Sequence, residues 1–396
     1  MEFYGEWIES ASVRIALIGD STLDNCVWVQ RGEKPIARHI YELVKNQDNN
    51  NFIDCGGSSN CALANLSADG FTTQDVLDGS TFVISAGLRS QFDPNNENMV
   101  DKLIYDEDGV YRPLNQLEKL DPKPTHIVLS IGGNDIREIL GDLMQFPKVY
   151  QTFQQNYPKI VQKCCEMLDD STNLFMMLQY RPCFTTDDFY YGVYQAIGEG
   201  FSAERAGIML QVSKMMELDV QDLFSGEIHT SIQKLNWLMK IMYGPILKGV
   251  ARERGLSVMD LPNTFDLFDE KLYNSQIEPS GAGGKLIATI IEGMIRNKNH
   301  RSTNKDDEKE AELNKKESLI YHAAKIAETG IYELVLPPQV NSIEAETGGW
   351  EWKVIENERD RNIQEFKHYK YLGGSRFYYD ISESENLLSE YENEEL

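Results

Sequence analysis

A serine follows directly after a short apolar run near the start of the chain. Val13 to Ile18 is brief and β-branched, which predicts a buried strand that stops at Gly19 and is followed by Asp20 and Ser21. In open α/β sheets the reactive crevice lies beyond the carboxyl ends of the strands. A helix that starts at Ser21 would direct its N–H groups toward the same crevice. The pattern is typical of a nucleophile, although a serine cap in an ordinary strand–helix turn accounts for the same residues.

Two further motifs follow the serine in order. Asp69-Gly70 comes after a short apolar segment, and Gly132-Gly133-Asn134-Asp135 comes after the clearest buried strand of the chain. Together with Gly19-Asp20-Ser21 they resemble the motifs of the SGNH, or GDSL, hydrolase family. The resemblance covers roughly residues 12–295.

The resemblance implies a role for one residue of each motif. Ser21 would be the nucleophile of an acyl transfer. The oxyanion hole would consist of the backbone N–H groups of Ser21 and Gly70 and the side-chain amide of Asn134. These residue types suit the roles, because glycine lets a backbone approach the substrate and an amide donates without changing charge. Taken singly, Gly70 also fits a plain turn and Asn134 a helix cap.

The last motif departs from the family pattern, which is Asp-x-x-His followed by Pro-Ser. Here Ser275 stands at the aspartate position and Glu278 at the histidine position, whereas Pro279 and Ser280 keep the register. Both members of the usual general-base pair are therefore replaced.

Two interpretations of this replacement stay open. In the first, Glu278 is the base, and no aspartate is needed because a carboxylate has no tautomer to fix. Its ordinary pKa of about 4.3 is low for this task, so burial or neighbouring carboxylates such as Asp20 and Asp24 would have to raise the pKa. In the second, the pocket binds a ligand or partner without turning it over. An ion pair of Glu278 with an arginine such as Arg181 would favour the second interpretation.

Another histidine is a poor substitute for the missing one. Of the six histidines, only His229 is expected to reach the crevice; His126, for example, opens a strand and should lie at the opposite edge of the sheet. Asp260, at the end of a predicted strand, is a candidate to orient His229 or to raise the pKa of Glu278, and equally a plain turn cap.

Composition narrows the function classes. The 396 residues carry a net charge of −25, which argues against nucleic acid and anionic membranes as partners. No apolar stretch is long enough for a transmembrane helix, and the first residues do not resemble a signal peptide. The six cysteines show neither metal nor disulfide spacing, which is typical of reduced cytosolic thiols. No phosphate-binding loop or dinucleotide fingerprint occurs, so neither a cofactor nor a metal is expected.

Apolar runs of strand length alternate with helical periodicity through most of the chain. This alternation predicts a doubly wound, mostly parallel sheet in a three-layer α/β/α arrangement, as the SGNH resemblance also implies. We place this domain at residues 1–297, with an aromatic, methionine-rich helical insertion at 184–230 that is a candidate lid. A polar linker at 298–318 and a small α+β appendage at 319–382 follow, with a helix expected at Glu312 to Ala327.

Residues 383–396 form a glutamate-rich tail. Such a tail is usually only solvated, but its composition also resembles the carboxyl-terminal signals of bacterial effectors exported by type IV secretion. The sequence thus predicts a cytoplasmic protein, or one exported without a cleaved signal.

The preferred function is that of a serine esterase or lipase-like acyl hydrolase for a small-molecule or lipid ester. The alternative is a catalytically silent SGNH-like binding protein, for instance a secreted effector that engages a host protein through its appendage.

Overall fold

The fold is taken from a computed structural model of the chain. It describes residues 2–30, 32–46, 61–81, 83, 105–180, 182–183, 228–265, 269–274, 277–303, 319–325 and 332–335, together with four short strands between 354 and 379.

The strands of the main sheet are mostly short and buried. In chain order they are β1 (Glu2–Tyr4), β2 (Val13–Gly19), β3 (Cys61–Asn65), β4 (His126–Ser130), β5 (Leu174–Met177), β6 (Ser257–Met259), then β9 (Leu319–Lys325) and β10 (Tyr332–Val335). Three separate hairpins are formed by β7 (Tyr273–Asn274) with β8 (Glu278–Pro279), β11 (Val354–Glu356) with β12 (Gln364–Phe366), and β13 (Tyr369–Tyr371) with β14 (Phe377–Tyr379).

The α-helices connect these strands. They are α1 (Ile36–Asn46), α2 (Thr73–Asp78), α3 (Pro113–Glu118), α4 (Gly133–Gly141), α5 (Phe146–Glu166), α6 (Ile228–Ile246), α7 (Leu261–Thr264) and α8 (Gly281–Thr303). A π-helical turn, Leu247–Ala251, continues α6, and short 3-10 turns lie at Leu143–Gln145, Ser171–Asn173 and Glu270–Leu272.

The main sheet has eight strands in the order β1-β3-β2-β4-β5-β6-β9-β10. The six inner strands are parallel, and β1 and β10 add antiparallel edges. The chain passes from β2 to β3 on one side and then to β4 on the other side of β2. The order therefore reverses at β2, and in sheets of this type ligands bind in the crevice at that point.

Side chains of β2 alternate between two cores. Ile15 and Leu17 pack on one face with residues of α1 and α8, whereas Ala16 and Ile18 pack on the other with residues of α5 and α6. A strand that is buried on both faces has a continuous run of apolar residues, which explains why β2 could be predicted from the sequence. The predicted three-layer α/β/α arrangement is confirmed.

The sequence prediction was wrong beyond the last long helix. The helix expected at residues 312–327 is absent from the described part of this range, where Leu319–Lys325 is strand β9, paired in parallel with β6. Tyr321 is buried in the main core. The boundary at 297 also fails, because α8 continues to Thr303 and the first part of the expected appendage completes the main sheet. The alanines and the lysine of this segment favour a helix, but pairing with β6 determines its structure.

Other predicted regions lie mostly outside the described residues. This holds for 184–227 of the insertion, for 304–318 of the linker and for the tail, while the last three residues of the expected insertion belong to α6. In the part of the chain that is described, no helix combines the length and apolar character needed to cross a membrane.

Candidate active site

Ser21 lies in a tight turn at the carboxyl end of β2, beside the point where strand order reverses. The N–H groups of Leu23 and Asp24 both donate to the carbonyl of Asp20, at 3.1 and 3.0 Å, and the Asp20 carboxylate accepts the N–H of Thr22 at 3.0 Å. This single turn closes on itself, and the next α-helix begins only at Ile36. The helix considered at Ser21 is therefore not formed, because the Asp20 side chain holds the Thr22 N–H in a turn.

Glycine is required where this turn leaves the sheet. A Cβ atom on Gly19 would lie 1.9 Å from the carbonyl oxygen of Ser130 on the adjacent strand β4. Only a residue without a side chain lets β2 and β4 end this close together. The turn that carries Ser21 and the segment that leads into α4, which carries Asn134, consequently start side by side.

Glu278 reaches Ser21 from a two-stranded hairpin near the end of the domain. The Ser21 hydroxyl donates to Glu278 Oε1 at 3.1 Å, across 257 positions of sequence. The hairpin is fixed by backbone contacts: Asn25 Nδ2 donates to the Pro279 carbonyl at 3.4 Å, and the Tyr180 hydroxyl donates to the carbonyl of Ile277. The structure thus brings together the serine and the glutamate that the sequence singled out.

The environment of Glu278 raises its pKa to about 8. Burial is the largest cause, since only 4% of the residue is exposed, and the charges of Asp69 and Asp20 act in the same direction. The hydrogen bond from Ser21 and the charge of Arg137 oppose them. A carboxylate with this pKa is a far stronger base than an ordinary glutamate, so the difficulty raised by the sequence is met.

Two backbone N–H groups near Ser21 have no acceptor in the part of the chain that the structure describes. The N–H groups of Asp20 and Thr22 are bonded, as are those of Asp69 and Phe71, whereas among the described residues nothing accepts from the N–H of Ser21 or of Gly70. Gly70 has a φ of +84°, a conformation that favours glycine. Unbonded backbone donors are rare in folded proteins, and a pair of them suits an oxyanion.

Asn134 is the second residue of α4, and its side chain is tied to the second motif. Its Nδ2 donates to the carbonyl of Phe71 at 2.9 Å. An amide nitrogen carries two hydrogens, so one donor remains for a ligand. The neighbouring Asp135 accepts from both the N–H and the hydroxyl of Thr73, at 3.0 and 2.6 Å. These bonds lock the second and third motifs to each other.

Gln179, at the end of β5, links three strand ends beneath the serine. Its Nε2 donates to Asp20 Oδ2 at 3.3 Å and to Ser130 Oγ at 3.2 Å, and its Oε1 accepts from the Thr22 hydroxyl at 3.2 Å. Burial raises the pKa of Asp20 to about 7, helped by the charges of Asp135 and Asp69. Sequence reasoning missed Gln179 as a site residue; its signal is a polar residue two positions after a buried strand.

Asp24 holds the second motif against the serine turn. Its Oδ2 accepts the N–H of Asp69 at 3.0 Å. Glu2, Asp24 and Cys26 place ligand atoms within 4.8 Å of one another, but Glu2 already accepts from Asn65. These buried carboxylates belong to the hydrogen-bonding network of the protein.

Asp69 and Trp28 form a pair that sequence reasoning did not anticipate. The indole N–H of Trp28 donates to Asp69 Oδ2 at 2.9 Å, and the Trp28 carbonyl accepts from Asn274 Nδ2 of the hairpin at 2.7 Å. Asp69 outweighs Asp20 as a cause of the raised pKa of Glu278. The one available signal was the position of Asp69 immediately before Gly70.

For the remaining residues that the sequence singled out, the structure shows no direct contact with Ser21 or Glu278 among the described residues. Asp260 follows β6, is buried, and donates its N–H to the carbonyl of Tyr321 at 2.8 Å; it is not among the leading causes of the pKa shift of Glu278. His229 lies in the first turn of α6. His126 begins β4, at the edge of the sheet opposite the serine, as the sequence predicted. Arg181 lies outside the described residues.

Two cavities lie near the site without being lined by Ser21, Gly70 or Asn134. One, of about 490 Å³, lies between α1 and the start of α8 and includes Lys34, His39 and Lys285. The other, of about 430 Å³ and mainly apolar, includes Leu178 and Tyr243. Tyr243 donates to the carbonyl of Ile131 at 2.7 Å, so the second cavity lies behind the third motif.

Comparisons with known proteins give matches only among solved structures. No protein-family model and no curated protein matches the sequence. Structures of Axe2, an acetyl xylan esterase from Geobacillus stearothermophilus, are similar at 13% identity. A variant of it has a TM-score of 0.34 and a catalytic mutant 0.35, each covering 72% of this chain and 94% of the other. Because both TM-scores lie below 0.5, the fold assignment rests on strand order and connectivity.

Proposed function

We propose that the chain is an acyl hydrolase of the serine esterase type, with Ser21 as nucleophile and Glu278 as general base. The observation that carries this proposal is the 3.1 Å hydrogen bond from the Ser21 hydroxyl to a buried carboxylate. The pKa of that carboxylate, about 8, is matched to proton transfer near neutral pH.

Acylation begins when Ser21 Oγ attacks the ester carbonyl carbon and its proton passes to Glu278. The oxyanion that develops is stabilised by the N–H groups of Ser21 and Gly70 and by the second amide hydrogen of Asn134. Each such donor typically contributes roughly 2.7–4 kcal/mol to transition-state stabilisation. The intermediate then collapses: the bond to the alcohol oxygen breaks, and that oxygen takes the proton from Glu278. The acyl group remains on Ser21.

Deacylation repeats these steps with water. Glu278 removes a proton from the water as its oxygen attacks the acyl carbon, and the same donors hold the oxyanion. The ester bond to Ser21 breaks, Ser21 Oγ regains the proton, and the carboxylic acid leaves. Each step balances in protons without a cofactor.

Hydrolysis of p-nitrophenyl acetate and butyrate between pH 5 and 9 tests the proposal. We expect Ser21→Ala and Glu278→Gln each to lower kcat/KM by roughly two orders of magnitude or more, as for loss of a nucleophile or general base. Glu253→Gln, which removes an exposed carboxylate, is the matched control. If Glu278→Gln retains full activity, the base lies elsewhere. If the parent shows no Ser21-dependent turnover, the esterase proposal fails and a binding function takes its place.

A further inference from the structure

The mainly apolar cavity behind the third motif has a volume of about 430 Å³. Among the described residues, Leu178 lines it from the end of β5, Tyr150 from α5, and Met239, Tyr243 and Leu247 from α6 and its π-helical turn. Binding sites for small molecules typically have this size and this kind of lining. The proposed nucleophile does not line it, so the cavity can take a ligand of its own.

The cavity opens where the sequence of α6 departs from that of a regular helix. Gly244 and Pro245 both line it, and these two residue types are the least favourable in a helix interior. A Cβ atom on Gly244 would meet no other atom within 4 Å. Pro245 has no N–H to donate to the carbonyl of Ile241, which also lines the cavity. The helix then passes into the π-helical turn Leu247–Ala251, a type of turn that occurs frequently at functional sites.

The charge at the rim of this cavity is opposite to that of the chain as a whole. The chain carries a net charge of −25, yet Lys240 and Lys248 line the cavity, and its described lining contains neither aspartate nor glutamate. Both lysines are exposed, and Lys248 makes no ion pair in the part of the chain that is described. A ligand with an anionic head group at the rim and an apolar body within the cavity is therefore complementary to this lining.

We propose that the cavity binds a medium-chain carboxylate, such as a fatty acid, with its apolar chain along α6 and its head group beside Lys248. From Met239 to Lys248 the lining extends about 14 Å along the helix at about 1.5 Å per residue, which accommodates an extended chain of about ten carbons. The inference goes beyond the proposed hydrolysis and does not depend on it, because it concerns a separate cavity.

Isothermal titration of the full chain with sodium decanoate at pH 7 measures this binding directly. We expect one equivalent of decanoate to bind, about tenfold or more tightly than decyltrimethylammonium, which has the same chain length and the opposite charge. Acetate, which has the head group alone, should not bind detectably, because burial of the apolar chain supplies most of the affinity.

Two positions test the place of binding. Gly244→Leu fills the cavity and should abolish decanoate binding, whereas Gly244→Ala adds one methyl group and should weaken binding only a few-fold. Neither change is expected to lower the melting temperature, because both replace glycine within a helix. Lys248→Gln should weaken binding several-fold. Lys159→Gln is its matched control, since it removes an exposed lysine of α5 that does not line the cavity.

The outcomes separate this inference from the proposed function. Decanoate binding that survives Gly244→Leu, or equal affinity for decanoate and decyltrimethylammonium, overturns the inference. Absence of decanoate binding to the folded parent also overturns it, and is the result expected if another segment of the chain fills the cavity. Ser21→Ala should bind decanoate as the parent does; loss of binding in this variant would place the carboxylate at the candidate active site instead. Hydrolysis of p-nitrophenyl acetate is measured separately, so the esterase proposal stands or fails on its own assay.

Discussion

Replacing Glu278 by glutamine should stabilise the protein relative to the parent, by an amount that grows as the pH rises. The carboxyl group has a pKa of about 8 in the folded protein, against an ordinary value of 4.5. The folded state therefore binds more protons than the unfolded state between these values, and its stability falls as the pH increases through this window. Glutamine has nearly the same shape and does not titrate.

The magnitude follows from the two pKa values. One pKa unit corresponds to about 1.36 kcal/mol, so the ionisation of Glu278 costs the folded state less than about 1 kcal/mol at pH 5, about 3 at pH 7 and about 5 at pH 9. Any fixed cost of burying an amide at this position is the same at every pH. The difference in the free energy of unfolding, Glu278→Gln minus parent, should accordingly grow by about 4 kcal/mol from pH 5 to 9.

Urea unfolding, followed by tryptophan fluorescence at pH 5, 7 and 9, measures this difference. Glu253→Gln, at an exposed position, reports the effect of removing a carboxylate from the surface. A difference between Glu278→Gln and parent that stays constant from pH 5 to 9 would refute the reasoning. Glu278 would then ionise alike in the folded and unfolded states and could not have the pKa on which the proposed mechanism depends.

Three further predictions concern the pH profile, one glycine and one asparagine. For p-nitrophenyl acetate, kcat/KM should rise about tenfold from pH 7 to 9 as Glu278 ionises; a midpoint near pH 4–5 would contradict this. Gly132→Ala should lower the melting temperature more than Gly109→Ala: both have positive φ, +117° and +76°, but only at Gly132 would the Cβ meet an atom, the Tyr243 hydroxyl at 2.4 Å. Asn25→Asp keeps an acceptor for the Ile36 N–H and loses the donor to Pro279, so kcat should fall by about tenfold, and the carboxylate at this fully buried position should also lower stability; equal activity of variant and parent would show that this contact does not position Glu278.

The parallel strands could be predicted because burial on both faces requires a continuous run of apolar residues. Val13 to Ile18 and His126 to Ile131 were predicted within one residue of β2 and β4. Strand β9 could not, because nothing local distinguishes Leu319–Lys325 from a helix. Its pairing with Ser257–Met259 of β6 decides its structure, and that partner lies about 60 positions away.

The residues of the candidate site could be predicted where they stand in a recognisable motif. They could not be predicted where only the folding of the chain brings them together. Ser21, Gly70 and Asn134 stand in motifs with recognisable order, and Glu278 was found by the register of Pro279 and Ser280. Trp28 does not stand in any such motif. It meets Asp69 across 41 positions, through a turn whose path depends on the bond from Asp69 to Asp24.

In the proposed mechanism, a single difference accounts for both positions at which the last motif departs from the SGNH pattern that it resembles. An imidazole needs a third group to fix its tautomer and orientation, whereas a carboxylate has two equivalent oxygens and needs only a fixed position. The structure supplies that position through the backbone: Asn25 and Tyr180 hold the carbonyls on either side of Glu278. Glu278 must also be basic enough to accept the proton. Asp69 raises the pKa of Glu278 through its charge and not through a hydrogen bond. In the proposed mechanism, the carboxylate that acts on the base therefore lies in the second motif, where it raises the pKa of Glu278 instead of orienting a ring.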